Sequence, residues 1–143
     1  MVLSLITVIM AAAAVLLIGA RVLDGDEPVG FRTVKEGQIP GEISANIIPE
    51  YRTLERALAC AVGDDIYVMV TRGEKPTSGF KVDIDRIFTE KQDGKENLVV
   101  VANFRDPEKK TAISQIITYP LEVVKTDLER LPDTIELRIQ YIS

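Results

Sequence analysis

The sequence predicts an α+β domain that is mainly β, with one helix packed against a roughly five-stranded, mainly antiparallel sheet or small sandwich. An N-terminal transmembrane helix is expected to precede this domain. Three observations support the prediction. Apolar and polar residues alternate in several segments after Gly63, one segment before Gly63 has helical spacing, and residues 2–20 form an uncharged apolar run.

The composition favours a single domain that does not bind nucleic acid. The chain has 143 residues, enough to bury a core, and a formal net charge of −5 without a basic patch. Histidine is absent, so a Ser-His-Asp triad is excluded and a zinc site is not expected. The single cysteine, Cys60, cannot form an intramolecular disulfide. We therefore expect neither an enzyme nor a cofactor.

The apolar run over residues 2–20 is long enough to cross the ~30 Å hydrocarbon core of a bilayer as a helix. We interpret residues 1–20 as a membrane anchor or uncleaved signal. A cleaved signal peptide is less well supported, because the run is not preceded by Lys or Arg and no good A-x-A cleavage site precedes Arg21. A buried core helix is the third alternative, although no polar face interrupts the run. The weak charge bias around Arg21 does not decide the orientation.

Residues 21–46 are rich in Gly, Pro and charge and are predicted to be a linker, with a short strand at "GFRTV". Residues 47–143 are then the globular domain. Its first segment, 48–62, is predicted to be a helix that ends at Gly63, because apolar residues recur every three or four positions. These residues are Ile48, Tyr51, Leu54, Leu58 and Ala61. Cys60 lies near that stripe, and we interpret it as a buried apolar residue rather than a reactive thiol.

After Gly63 the period changes to two, which predicts strands. Asp93-Gly94 is a hairpin signal, and the slip in alternation at Arg86–Ile87 suggests a bulge. Pro120 implies a sheet edge or a break, since proline cannot donate to a ladder. The predicted strands cover 65–71, 80–88, 97–104, 114–126 and 134–142.

Two of these strands differ in their patterns. The strand over 97–104 is apolar on both faces and is predicted to be central. The strand over 134–142 alternates cleanly, which predicts an antiparallel sheet with one face in water. Its inward residues are expected to be Ile135, Leu137, Ile139 and Tyr141.

The carboxylates give no convincing catalytic or metal site. Asp83 and Asp85 lie on one predicted strand face together with Lys81, which is typical of a solvated face. Asp64 and Asp65 read as a turn, because no further calcium ligands follow at loop spacing. No metal ligands are therefore predicted.

The stretch 71–80, "TRGEKPTSGF", interrupts two strands with a loop longer than a hairpin needs. It does not fit a phosphate-binding loop, since Lys75 precedes the second glycine and a strand follows instead of a helix. One interpretation is purely structural, with glycines that supply positive φ and a proline that stiffens a long hairpin. The other is that the loop binds a partner.

The loop resembles the PrcB C-terminal domain family, whose members carry a similar G-E-K-P-T-x-G-[FY] motif entering a strand. The later stretch "QIITYPLEVVK", residues 115–125, is similar to a second family signature. The resemblance covers roughly residues 47–143. It implies a small bacterial protein, anchored through residues 2–20 with its domain outside the cytoplasm, that assists or stabilises a surface protease or another envelope protein. The implied partner-binding residues are Gly73, Glu74, Lys75, Pro76, Thr77, Ser78, Gly79, Phe80, Tyr119 and Pro120.

A fainter likeness suggests an alternative function. Chagasin-type inhibitors of cysteine proteases carry a similar loop between strands, and the chain lacks the tryptophans that those inhibitors also use. The alternative is therefore a protease inhibitor with a chagasin-like loop. The shared positions are Gly73, Pro76, Thr77, Gly79 and Phe80.

Overall fold

The computed structural model describes residues 8–14, 26–109 and 113–143, with only the backbone for 8–14. The described strands are β1 (Val8–Ala14), β2 (Glu27–Val29), β3 (Phe31–Thr33), β4 (Glu55–Val62), β5 (Asp65–Arg72), β6 (Lys81–Gln92), β7 (Lys95–Arg105), β8 (Leu121–Thr126) and β9 (Thr134–Ile142). The helical segments between β3 and β4 are a 3₁₀ turn at Glu36–Gln38, a π-helical turn at Ile43–Ile47 and the short helix α1 (Ile48–Tyr51).

The strands form two mostly antiparallel sheets that pack face to face. The β5 sheet contains β1, β4, β5, β8 and β3, and the β7 sheet contains β2, β6, β7, β9 and β1. Strand β1 joins the two sheets, because Val8–Ala12 pair with β4 and Ala13–Ala14 pair with β9. On the other side, β2 pairs with β6 and β3 with β8, so the chain passes between the sheets at Gly30.

The space between the sheets is filled by one apolar cluster. Seven of the described strands, β2 and β4 to β9, contribute aliphatic side chains, together with Phe104. Burial of this cluster is the main stabilising contribution that the two sheets share. Its buried members are Val29, Ala57, Ala59, Val68, Val70, Ile84, Ile87, Leu98, Val100, Ala102, Phe104, Val124, Ile135, Leu137 and Ile139.

The hairpin between β6 and β7 confirms two predictions. Asp93 and Gly94 form its turn with φ values of 52° and 76°, the left-handed region that such a turn requires. The ladder shifts register between Ile84 and Arg86, close to the predicted bulge. β7 lies between β6 and β9, so the predicted central strand is also confirmed.

The predicted helix over 48–62 is wrong for most of its length. α1 ends at Tyr51, and Glu55–Val62 form β4, which pairs with β1 and β5. Ala57, Leu58, Ala59 and Cys60 are all buried, because both faces of this strand are covered. An apolar run that is buried on both faces fits helical spacing and strand spacing equally well, so the period did not distinguish them.

The predicted transmembrane helix over residues 2–20 is not present in the part of this range that the structure describes. Residues Val8–Ala14 form a strand within the sheets. Among the described residues, no helix combines the length and the apolar character needed to cross a bilayer. A continuous apolar run suits a central strand as well as a helix, which explains the difference. The remainder of the predicted anchor, residues 1–7 and 15–20, lies outside the described residues.

The described part of the predicted linker, residues 26–46, contains β2, β3 and the first helical turns. The short strand expected at "GFRTV" is present as β3. The π-helical turn places Ile43 and Ile47 on the outer face of the β5 sheet, against Leu58 and Met69. The division at residues 20 and 46 stays a prediction.

Two further details of the predicted strands need correction. β8 begins at Leu121, directly after Pro120, and not at residue 114. β9 pairs in parallel with both β7 and β1, although its alternation suggested an antiparallel sheet. Tyr141, predicted to face inward, is 58% exposed at the end of β9.

Candidate functional site

The loop over residues 73–80 connects β5 in one sheet to β6 in the other. Gly73 and Gly79 have φ values of 87° and 94°, which favour glycine, so they allow the chain to leave β5 and to enter β6. Glu74 and Pro76 are exposed, whereas the residues from Thr77 to Phe80 are half-buried. The loop is therefore held against another part of the molecule.

That other part is the segment over residues 113–120, which precedes β8. Lys75 and Thr118 exchange two backbone hydrogen bonds of 2.9 Å, and form an isolated antiparallel bridge. The backbone N–H of Ser78 donates to the Ser114 carbonyl at 3.0 Å, and the Ser114 N–H donates to Ser78 Oγ at 2.8 Å. The two sequence signatures therefore form one surface, which we call the paired loops, residues 73–80 and 113–120.

The threonines add a third connection between the paired loops. Thr118 Oγ1 donates to the carbonyl of Thr77 at 2.8 Å. Among the described residues, Thr77 Oγ1 donates only to the neighbouring Ser78 carbonyl, at 3.1 Å. The Thr77 side chain therefore makes no bond to the described part of the second loop, and it can be changed without breaking the backbone pairing.

Glu74 and Tyr119 connect the paired loops at their outer rim. The Tyr119 hydroxyl donates to Glu74 Oε1 at 3.0 Å, and the Arg52 guanidinium lies 4.3 Å from the centre of the tyrosine ring. The hydrogen bond to Glu74 raises the pKa of Tyr119 above its ordinary value of 10, because the carboxylate favours the protonated phenol. The arrangement joins a loop, its partner segment and the end of the helical region.

Arg72 anchors the base of the loop, and sequence reasoning missed it. It is 5% exposed, with its guanidinium 5.0 Å from the centre of the Phe80 ring and 4.9 Å from that of Phe104. Nη1 donates to the carbonyls of Arg105 at 2.9 Å and Lys81 at 3.4 Å. Nη2 forms an ion pair with Asp106. Only the tertiary structure brings the end of β5 to these groups, so no local pattern marks Arg72.

Phe80 has a second cation above it. Lys75 Nζ lies 5.4 Å from the centre of the Phe80 ring. Gly79, next to Phe80, is in close contact with the chain after β7, since a Cβ at this position would lie 2.7 Å from Pro107 Cβ. The second end of the loop is thus packed against the chain that follows β7.

The paired loops also expose apolar side chains that were not among the predicted site residues. Ile113, Ile116 and Ile117 are 36%, 62% and 57% exposed. The sequence placed Ile116 and Ile117 in a predicted strand over 114–126. All three isoleucines lie before β8 in a segment without regular secondary structure, on the surface beside the loop.

Tyr119 and Pro120, the other predicted site residues, lie at the edge of a groove of about 510 Å³. The groove runs from the paired loops towards the 3₁₀ turn and is lined by both apolar and acidic residues, among them Ile39, Ile48 and Glu122. Both carboxylate oxygens of Glu122 already accept hydrogen bonds, one from Thr33 Oγ1 and one from the backbone N–H of Ile84. All ten predicted residues are therefore close to one another at one end of the sheets.

The other polar candidates are Asp83 and the Cys60 thiol. Asp83 Oδ2 accepts a hydrogen bond from Asn103 at the surface. Among the residues that the structure describes, no group of three or more Cys, Asp and Glu side chains could hold a metal ion. Burial raises the pKa of the Cys60 thiol to about 11, which disfavours the reactive thiolate.

The fold and the site define a small, two-sheet β domain that presents paired loops at one end. The family model described as PrcB C-terminal matches residues 66–127, a range that begins in β5, ends after β8 and includes both loops. The match confirms the predicted resemblance to the PrcB C-terminal family over residues 66–127. Comparison with curated proteins and with solved structures gives no significant match.

Proposed function

We propose that this protein is a non-catalytic binding module that assists or stabilises a protease complex or another protein of the bacterial envelope. The paired loops are its binding surface. The observation that carries the proposal is the joining of both family signatures by the reciprocal Lys75–Thr118 bonds and the Ser78–Ser114 bonds.

The bonding within the paired loops supports a role in recognition. Because Lys75, Ser78 and Thr118 are already held by hydrogen bonds, little conformational entropy remains to be lost when a partner binds. Glu74, Pro76 and the isoleucines stay exposed and available for contact. A rigid sheet that presents exposed loops is a common arrangement for binding.

A non-catalytic role agrees with the chemistry of the chain. It has no histidine, and its one thiol is buried with a raised pKa. The phenol of Tyr119 also favours its protonated form. These groups do not supply an activated nucleophile at neutral pH.

An extracytoplasmic location is part of the proposal and is supported by the family resemblance alone. Fractionation of cells that produce the full chain with a C-terminal tag tests it. We expect the tag in the envelope fraction and accessible to added protease in cells with a permeabilised outer layer. Recovery of the tag only in the cytoplasmic fraction would contradict this location.

Affinity capture from solubilised envelopes tests the binding function. The full chain is compared with Lys75→Ala/Thr77→Ala, which changes two loop side chains without removing the backbone bonds between the loops. The matched control is Gln92→Ala/Lys95→Ala, at the hairpin on the opposite end of β6. We expect a partner that is captured by the native chain and the control and is depleted with the loop variant. An identical set of captured proteins in all three would remove the loop from the proposal.

The alternative of a chagasin-like protease inhibitor is less well supported by the geometry. Residues 113–118 lie along the loop over 73–80, and Thr77 to Phe80 are half-buried, so only part of the loop is free to enter a protease cleft. Assays of the full chain against a papain-like and a subtilisin-like protease test this alternative. We expect no inhibition at micromolar concentration, and inhibition that is lost in Lys75→Ala/Thr77→Ala would establish the inhibitor instead.

A further inference from the structure

We propose that the outer edge of residues 113–118 binds an extended apolar segment of the partner protein as an added β-strand. This inference rests on the proposed binding function and specifies how the partner is held. The contact residues of the added strand are Gln115, Ile116 and Ile117, and not those of the loop over 73–80.

The backbone of this segment has one edge paired and one edge open. Thr118 directs its N–H and carbonyl to Lys75. In an antiparallel pair the backbone groups of the adjacent residue point the opposite way, so those of Ile117 face outward. The backbone groups of Gln115, two residues before Ile117, face outward for the same reason. Within the described part of the chain, the backbone groups of Gln115 and Ile117 make no hydrogen bond. An extended peptide supplies the donors and acceptors that such an edge lacks.

The side chains at this edge specify the character of the added strand. Ile116 and Ile117 are 62% and 57% exposed. Successive side chains of an extended segment point to opposite faces, so a strand laid alongside meets an isoleucine on each face. Cross-strand contacts with β-branched or aromatic residues are the most favourable for isoleucine. The partner segment is therefore apolar and rich in such residues.

A segment of another protein fits this edge better than a second copy of the chain does. Two copies would each carry a net charge of −5 and would repel one another, whereas a neutral or basic segment would not. A stable dimer also buries about 800 Å² on each partner. Three partly exposed isoleucines are a smaller apolar surface than that, but they suffice for a short strand whose backbone bonds add to the affinity.

Selection from a phage library of random dodecapeptides on the immobilised full chain tests the inference. Enriched peptides are then synthesised, and their affinities for the full chain are measured by fluorescence anisotropy. The protein variants are Ile117→Pro, which removes an outward N–H, and Ile116→Ser/Ile117→Ser, which removes the apolar contacts. The control is Tyr141→Ser, which removes an exposed apolar side chain at the end of β9. Each variant is first shown by circular dichroism to be folded.

We expect enriched peptides with alternating β-branched or aromatic residues. Their affinity should fall by at least about tenfold with either isoleucine variant and with a peptide N-methylated along one edge, and should be unchanged with Tyr141→Ser. No enrichment, or equal affinity for all variants, would overturn the inference. A dimer that depends on Ile116 and Ile117 in sedimentation would overturn it in favour of a second copy. If Ile116→Ser/Ile117→Ser still captures the envelope partner that Lys75→Ala/Thr77→Ala has lost, the proposed function stands and only the added strand fails.

Discussion

Between the two sheets, every member of the buried inner cluster is apolar, whereas the paired loops are held by hydrogen bonds, an ion pair and cation–ring contacts. The inner cluster is stabilised by the removal of apolar area from water, and many side chains share that stabilisation. The paired loops depend on a few individual contacts, most of them near solvent. One region therefore determines whether the chain folds, and the other determines the shape of the proposed binding surface.

The largest expected effect is the loss of stability when one leucine of the inner cluster is replaced. Leu137 is fully buried in the inner cluster, so Leu137→Ala should lower the free energy of unfolding by about 2–5 kcal/mol. The matched change in the paired loops, Ile117→Ala, should alter it by no more than about 0.5 kcal/mol, because that side chain is exposed. Urea unfolding followed by circular dichroism measures both. Equal losses would mean that the paired loops belong to the cooperative core.

Arg72 connects the inner cluster to the paired loops. Its substitution should lower the free energy of unfolding more than substitution of its ion-pair partner Asp106 does. Arg72→Met should cost about 2–3 kcal/mol, because it removes bonds to two carbonyls and contacts with two rings. Asp106→Asn should cost under about 1 kcal/mol, since the carboxylate side of this ion pair is 64% exposed. The same urea titrations compare them. A large loss with Asp106→Asn would show that the ion pair, and not the aromatic and carbonyl contacts, holds the base of the loop.

Two glycines with similar backbone conformations allow the cost of a packing clash to be measured apart from the cost of backbone strain. Gly79→Ala should cost about 2 kcal/mol, because a Cβ would meet Pro107 in addition to adopting a positive φ. Gly94→Ala has the strain alone, with nothing within 4 Å, and should cost about 1 kcal/mol. Thermal unfolding gives both values. Hydrogen exchange at the Ser78 amide should be faster in Gly79→Ala and unchanged in Gly94→Ala.

The smallest effect concerns the outer rim of the paired loops. Tyr119→Phe should leave the unfolding midpoint unchanged at pH 7, since the hydroxyl and its partner Glu74 are at the surface. The raised pKa means that the folded state holds the phenolic proton more tightly. Any contribution of the Tyr119–Glu74 hydrogen bond to stability is therefore present below pH 10. It is lost as the pH rises through the folded-state pKa of Tyr119. Absorbance titration of the phenols should show one tyrosine that ionises late, and Glu74→Gln should return it towards its ordinary range.

The local signals in the sequence predicted the hairpin and several strands correctly. Asp93-Gly94 and the alternation on either side are properties of adjacent residues, and they are sufficient to determine β6 and β7. The parallel pairing of β9 with β7 could not be predicted in this way, because alternation reports which face is buried and not which strand is the neighbour. The same limit explains β1 and β4, where uniformly apolar runs fit a helix or a central strand.

For the candidate site, the sequence predicted the loops but not what joins them. The glycines and proline of residues 73–79 mark a long loop, and its motif pointed to the family. The pairing of Lys75 with Thr118 and the burial of Arg72 arise only when β5, β7 and β8 come together. Ile116 and Ile117 were assigned to a strand, since isoleucines before Pro120 have the composition of one.

The position of β1 has a consequence for synthesis on the ribosome. β1 is near the start of the chain, yet its residues Ala13 and Ala14 pair with β9, near the end. The bridge between the two sheets therefore cannot form until β9 has left the ribosome, while the β4–β5 and β6–β7 hairpins can form earlier. Contacts this distant in sequence slow folding, so Ala13 and Ala14 lack their β9 partners until late in translation, whereas Val8–Ala12 can pair with β4 earlier.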